Sequence, residues 1–211
     1  MTEQAHPREI IRVDNLVQTL GDQEILRGFS LKVHQGETLV LLGRSGGGKS
    51  VFLRHLIGLM QPISGTVTVG QEIISGLPER ELAKVRRSMG MLFQNGALFD
   101  SLTVADNVAF PLRERGETDE TVVAAKVAEA LQMVDLAGQE AKMPVDLSGG
   151  MRKRVALARA LVSQPRCMLY DEPTAGLDPI VADSIDLLIR RLQRKLGVTS
   201  IVVTHDMKST F

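Results

Sequence analysis

The chain has 211 residues, enough for one domain that buries about 70% of its unfolded surface. Lys and Arg number 25 and so do Asp and Glu, so no bulk positive field recruits nucleic acid or anionic lipid, and binding must be local. A lone cysteine, Cys167, sits in an apolar run; it excludes an internal disulfide and suits a reducing compartment as a small core residue.

Met1 to Arg8 (MTEQAHPR) lacks the apolar stretch of a secretory signal, and no apolar run approaches the roughly 18 residues of a membrane-spanning helix. If the protein works at a membrane, something else holds it there. From Ile10 to Val33, and again from Gly65 to Ile74 (GTVTVGQEII), β-branched residues alternate with polar ones between turn signals such as Gly21-Asp22. This pattern predicts antiparallel strands with one wet face.

The continuous apolar run Thr38 to Leu42 predicts a buried parallel strand, and a helix-compatible segment, Lys49 to Leu59, follows it closely. Between them lies GRSGGGKS, comprising Gly43, Arg44, Ser45, Gly46, Gly47, Gly48, Lys49 and Ser50. Glycines in such a strand-to-helix turn are expected to take positive φ and bring backbone N–H groups against phosphate oxygens. The positive end of the helix dipole adds to the attraction. Lys49 can then reach the β- and γ-phosphates as a point charge, with the Ser50 hydroxyl placed to ligate Mg²⁺.

Further on, Glu79 to Arg87 suits a short helix, and Met89 to Phe93 suits a strand ending at Gln94. Thr118 is the expected cap of a helix running to about Leu136, because Val123, Val127, Ala130, Leu131 and Val134 recur at helical spacing and Gly138 supplies a stop. Gly149 to Val162 predicts another helix, basic in its first turns and ending ahead of Pro165. Cys167 to Tyr170 and Ser200 to Thr204 are further apolar runs, each preceded by helix-like sequence. The expected architecture is α/β, a phosphate-loop core with a mainly parallel sheet, an N-terminal antiparallel β subdomain and a helical subdomain over about 95–165, all within one domain, 1–211.

Two more stretches carry chemistry. In CMLYDEP, residues 167–173, a strand ending in two carboxylates sets both at the carboxyl edge of the sheet, where ligands bind in open α/β folds. Asp171 would hold Mg²⁺ opposite Ser50, and Glu172 would act as general base toward an attacking water. In LSGGM, Ser148, Gly149 and Gly150 precede a helix and offer a second anion site of bare N–H groups, a hydroxyl and a dipole. One triphosphate does not need two such sites in one chain, which points to a two-fold homodimer whose second site closes the partner's nucleotide.

The chain resembles the ATPase subunits of ABC transporters over essentially its whole length. The resemblance is carried by GRSGGGKS, Gln94 in LFQNGALFD, LSGGMRKRVALARAL, LYDEPTAGLD and His205 in VVTHD. It implies ATP and Mg²⁺ as cofactors, with Gln94 sensing the metal and water, Asp178 crossing the dimer interface and His205 contacting the γ-phosphate. It also implies an integral-membrane permease as partner, and hence a cytoplasmic location on the inner face of the cell membrane.

Leu92 to Glu114, together with MPVDLSGGMRKRVALARAL, is similar to the ATPases of bacterial mammalian-cell-entry (MCE) lipid transporters, which implies phospholipid trafficking and an MCE-domain lipid-binding partner. In that family a groove near the glutamine loop receives a short permease helix, and Phe93, Phe99 and Phe110 are either its lining or simply core. By the same resemblance, the position where an aromatic usually stacks on adenine falls near Gln18, which weakens the expected preference for ATP over GTP. Family members also continue well past the switch histidine, so the chain is expected to be truncated after His205, with apolar surface or a strand edge left uncovered.

Overall fold

A computed structural model describes residues 8–206. The segment in which a secretory signal was sought lies almost wholly outside the described residues, as do 207–211. β1 (Glu9–Leu20) and β2 (Gln23–His34) form a hairpin that turns at Gly21, where φ is +57°. β4 (Ser64–Val69) pairs with β1 and β5 (Glu72–Ile73) with β4, giving an antiparallel sheet of order β2-β1-β4-β5.

The second sheet places the chemistry. β3 (Thr38–Leu42), β8 (Thr199–Thr204), β7 (Cys167–Asp171) and β6 (Met89–Leu92) lie side by side in the order β3-β8-β7-β6, all parallel. Register aligns their carboxyl ends, with Leu42 opposite Thr204, Asp171 opposite Val203 and Leu92 opposite Tyr170. The segments that follow, the glycine loop, His205, Glu172 and Gln94, therefore leave the sheet along one edge.

Both faces of this sheet are covered, which is why its strands are continuously apolar. On one face Met168, Tyr170 and Val202 pack among α3 (Val104–Glu114), α4 (Glu120–Met133), α5 (Gly149–Leu161) and α6 (Pro179–Leu196). On the other, Cys167, Leu169, Ile201 and Val203 meet α1 (Lys49–Leu56), α2 (Glu79–Arg86) and the inner side of the antiparallel sheet. Each fully buried Leu or Ile contributes about 1.5–3 kcal/mol. Burial pushes the Cys167 thiol up to about 12, so it is an inert core group.

The helix boundaries differ from expectation in three places. Asp119, not Thr118, caps α4, its carboxylate accepting from Thr121 N and Val122 N. That helix stops at Met133, with Asp135 left-handed at φ +59° before Gly138 is reached. α1 ends at Leu56 rather than Leu59, since Gly58 takes φ +64° where a Cβ would strike the Leu82 side chain at 2.5 Å. α3 was not anticipated, although Val104, Val108 and Leu112 bury one stripe of it; Pro111 inside its last turn hides it from a periodicity reading.

Candidate functional site

The glycine loop owes its shape to two residues rather than four. Gly46 and Gly48 have positive φ, +77° and +84°. Gly43 and Gly47 do not, which corrects the expectation for them; Gly47 is small because a Cβ there would sit 2.9 Å from Arg44 O. Gly48 is the cap residue of α1 and offers no side-chain acceptor, so the first N–H groups of the helix point outward as anion donors. A Cβ on Gly48 would also meet Ile25 Cγ2 at 2.6 Å, because the β1–β2 hairpin presses on the loop.

At the sheet edge the side chains form two bonded groups carried on adjacent residues, Lys49–Glu172–His205 and Ser50–Asp171. Lys49 Nζ donates to Gly43 O at 2.7 Å and Arg44 O at 3.0 Å, and lies 3.3 Å from Glu172 Oε1. Ser50 Oγ donates to Asp171 Oδ1 at 2.7 Å. His205 approaches Glu172 Oε2 through both its backbone N, 3.2 Å, and Nδ1, 2.8 Å. Asp171 and Glu172 are only 7% and 8% exposed, so they are not solvated acids at a strand end. Glu172 is also left-handed at φ +47°, a conformation that costs on the order of 1–3 kcal/mol outside glycine and marks functional positions.

Ser148 and Asp178 are built as helix caps. Ser148 Oγ accepts from Met151 N at 3.3 Å on α5, and Asp178 Oδ1 from Val181 N at 3.1 Å on α6. The two helix starts are in contact: a Cβ on Gly150 would fall 2.6 Å from Val181 Cγ1, and one on Gly149 3.2 Å from Leu177 Cδ2. These glycines thus serve close packing as well as bare N–H groups. Among the described residues no hydrogen bond or ion pair joins Ser148, Gly149, Gly150 or Asp178 to the glycine loop. Gln94 is exposed, two residues beyond the end of β6 and not at it; its carbonyl receives Lys153 Nζ.

Two residues that sequence reasoning missed belong to this region. Lys153 lies in a basic triplet resembling a solvated helix face, yet it falls on the stripe Gly150, Lys153, Leu157, Leu161 and is 6% exposed. Helical spacing from Leu157 and Leu161 could have revealed it. His55, on α1, is 1% exposed; its Nδ1 donates to Val51 O at 2.8 Å and its Nε2 lies 3.1 Å from the Gln18 amide. The Gln18 side chain is therefore turned to the interior, with Nε2 donating to Thr19 O at 2.8 Å.

Beside the loop after β6, a groove of about 390 Å³ is lined by Met91, Phe93, Phe99, Phe110, Arg115 and Arg159. The three phenylalanines are 36%, 42% and 37% exposed, so they are not core. Phe99 and Phe110 rings pack with centroids 4.7 Å apart, and the Arg159 guanidinium lies 5.9 Å from the Phe99 centroid.

A family model described as "ABC transporter" matches residues 26–175. A probable ribonucleotide transport ATP-binding protein of Mycobacterium leprae is 44% identical over 93% of this chain and 57% of its own length, so the chain spans little more than half of that relative. An intermembrane phospholipid transport system ATP-binding protein of Haemophilus influenzae is 42% identical over 95% of this chain and 76% of its own. Among solved structures, a dimeric ATP-binding cassette in a post-hydrolysis state with ADP and Pi superposes with a TM-score of 0.85 at 33% identity, covering 95% of this chain and 90% of that one.

Proposed function

This chain belongs to the ABC transporter family, and from that premise we propose that it is the ATP-binding and hydrolysing subunit of a transporter that moves phospholipid at the bacterial inner membrane. The observation that carries the catalytic part is the cluster of Lys49, Ser50, Asp171, Glu172 and His205 at one sheet edge, where a phosphate loop, a metal-type donor pair and a base meet within hydrogen-bond reach. Ser50 Oγ and Asp171 Oδ1 are hard oxygen donors held side by side, which suits Mg²⁺; with Gln94 they would hold an ion that supplies charge neutralisation at the phosphates.

In this reading the N–H groups of Gly43 to Gly48, with Arg44 and Ser45 in the same loop, cradle the phosphates and Lys49 binds their terminal oxygens. Glu172 aligns the attacking water, His205 holds the carboxylate and the γ-phosphate, and catalysis comes mostly from positioning. Ser148 and Gly150 of a second copy, with Gly149 and Asp178 beside them, complete the site, so closure needs a homodimer. Hydrolysis removes those contacts and the dimer opens. Among the described residues no helix is long and apolar enough to cross a membrane, so contact with one would come through an integral-membrane permease seated in the phenylalanine groove.

Support for phospholipid as cargo is the similarity to the Haemophilus phospholipid-transport subunit together with the MCE-like stretch Leu92 to Glu114. An MCE-domain lipid-binding protein is the partner this implies. The Mycobacterium relative is named for ribonucleotide transport, and it favours a second reading in which the same engine drives a polar solute, since an ATPase subunit need not touch the cargo. Glu172→Gln tests the engine: ATP should still bind and dimerise the protein while turnover is nearly abolished, and undiminished hydrolysis would remove Glu172 from the role. Co-purification with an MCE-domain protein separates the two cargo readings.

A further inference from the structure

Lys153 is a cation placed where cations are expensive. Its side chain is buried on the inner stripe of α5, and its ammonium donates to two main-chain carbonyls, Gln94 O and, at 3.4 Å, Glu172 O. Burial lowers its pKa, with Asp171 and Glu172 pulling in the opposite direction. A neutral Leu at the same point would extend the Leu157 and Leu161 stripe at no desolvation cost, so apolar packing gives no reason for a lysine here.

The geometry assigns Lys153 a positioning role: it ties α5, whose first turn carries Ser148 and Gly150, to the backbone of Glu172 and to the start of the Gln94 loop. Lys153 lies five positions after the cap residue Ser148, about 7.5 Å along the helix axis, so both ride on one rigid rod. Glu172 holds a left-handed φ that surrounding contacts must over-determine, and its carbonyl accepts from Ala175 N at 3.1 Å as well as from Lys153. Any tilt of α5 that moves Ser148 must either carry the Gln94 and Glu172 carbonyls with it or break both bonds. Lys153 thereby makes the angle of the Glu172 carboxylate depend on where the other end of α5 sits.

The inference rests on the reading of Glu172 as general base, and the test separates the two. Lys153→Met keeps the stem and removes the donors; Lys153→Arg keeps a cation that can span two carbonyls. In steady-state ATP hydrolysis by the purified chain, Lys153→Met should lower kcat at least tenfold while KM and nucleotide Kd stay within about threefold, and Lys153→Arg should return kcat to within about threefold of wild type. A kcat within threefold of wild type in Lys153→Met overturns the proposal, and so does a loss of nucleotide affinity in step with turnover. Should Lys153→Met not fold, Lys153→Leu, which likewise removes the donors, carries the same comparison. Turnover lost in Glu172→Gln but kept in Lys153→Met sinks this inference alone; turnover kept in Glu172→Gln, or absent from wild type, sinks the reading beneath it as well.

Discussion

Lys49 Nζ and Glu172 Oε1 are 3.3 Å apart, each side chain only 11% exposed, so the ammonium offered to phosphate is already shared with the carboxylate proposed to act on water. His205 Nδ1 occupies the other carboxylate oxygen at 2.8 Å. A triphosphate must compete with Glu172 for Lys49, and once it does, that carboxylate oxygen is free. Neutralising the carboxylate should therefore help binding as it destroys turnover. Glu172→Gln is expected to bind ATP about three- to tenfold tighter than wild type, about 0.7–1.4 kcal/mol, by equilibrium titration with a fluorescent nucleotide. Weaker binding would mean that the pair organises the loop instead of restraining it.

Gly150 invites a test that splits its two uses. A methyl there would fall 2.6 Å from Val181 Cγ1, and overpacking of this kind costs about 1–3 kcal/mol. Gly150→Ala should lower the melting temperature and abolish ATP-driven dimerisation, while nucleotide binding at the distant glycine loop persists. Adding Val181→Ala opens the space and should restore the melting temperature without restoring dimerisation, because the methyl still covers the N–H groups proposed to meet the partner's nucleotide. Restoration of both by the double variant would show the glycine to be a packing residue only.

Much of this fold was legible because its strands obey simple rules. The continuous apolar runs ending at Leu42, Tyr170 and Thr204 are what burial on both sheet faces demands, and the chemistry follows each run immediately. What stayed hidden depended on side-chain direction. Pro111 lies inside α3, where a proline forgoes its i→i−4 hydrogen bond and so masks the helical pattern, and Thr118 and Asp119 are adjacent caps between which only geometry chooses. Lys153 and Gln18 look like surface residues by type, and both are internal because helix phase and strand alternation turn them inward. Of the glycines in the loop, only Gly46 and Gly48 need positive φ, a distinction that composition does not carry.

His55 predicts how the protein responds to mild acid. Burial lowers its pKa from the ordinary 6.5, with the bond to Val51 O acting in the opposite direction. The folded chain thus holds the ring neutral where the unfolded chain would protonate it. Stability from this group is fully present above 6.5 and is lost as pH falls from there toward the lowered value. Melting curves from about pH 7.5 to about pH 5.5 should show a drop of a few degrees in wild type that is smaller in His55→Gln, which keeps a polar group near Gln18 but cannot titrate. Equal slopes in the two proteins would place the acid sensitivity elsewhere.

Phe99 offers the cleanest separation of partner binding from catalysis. Its backbone is fixed by the fully buried Asn107, whose amide accepts from Phe99 N and donates to the carbonyls of Phe99, Leu102 and Thr103. Its ring, by contrast, is 42% exposed and leans on Phe110 at the mouth of the groove. Truncating the ring removes contact area a permease helix could use and leaves the loop clamp intact, so stability should change by less than about 1 kcal/mol. Phe99→Ala, or charge reversal at the exposed Asp100, is expected to abolish co-purification with the membrane subunit at unchanged nucleotide affinity. Asn107→Ala should do the same by a different route, with a loss of about 2–4 kcal/mol as Phe99 N and Leu102 O lose the amide, while Phe99 O and Thr103 O keep Leu102 N and Asn107 N. If Phe99→Ala still retains the permease while Asn107→Ala does not, the loop backbone and not the aromatic ring is what the permease reads.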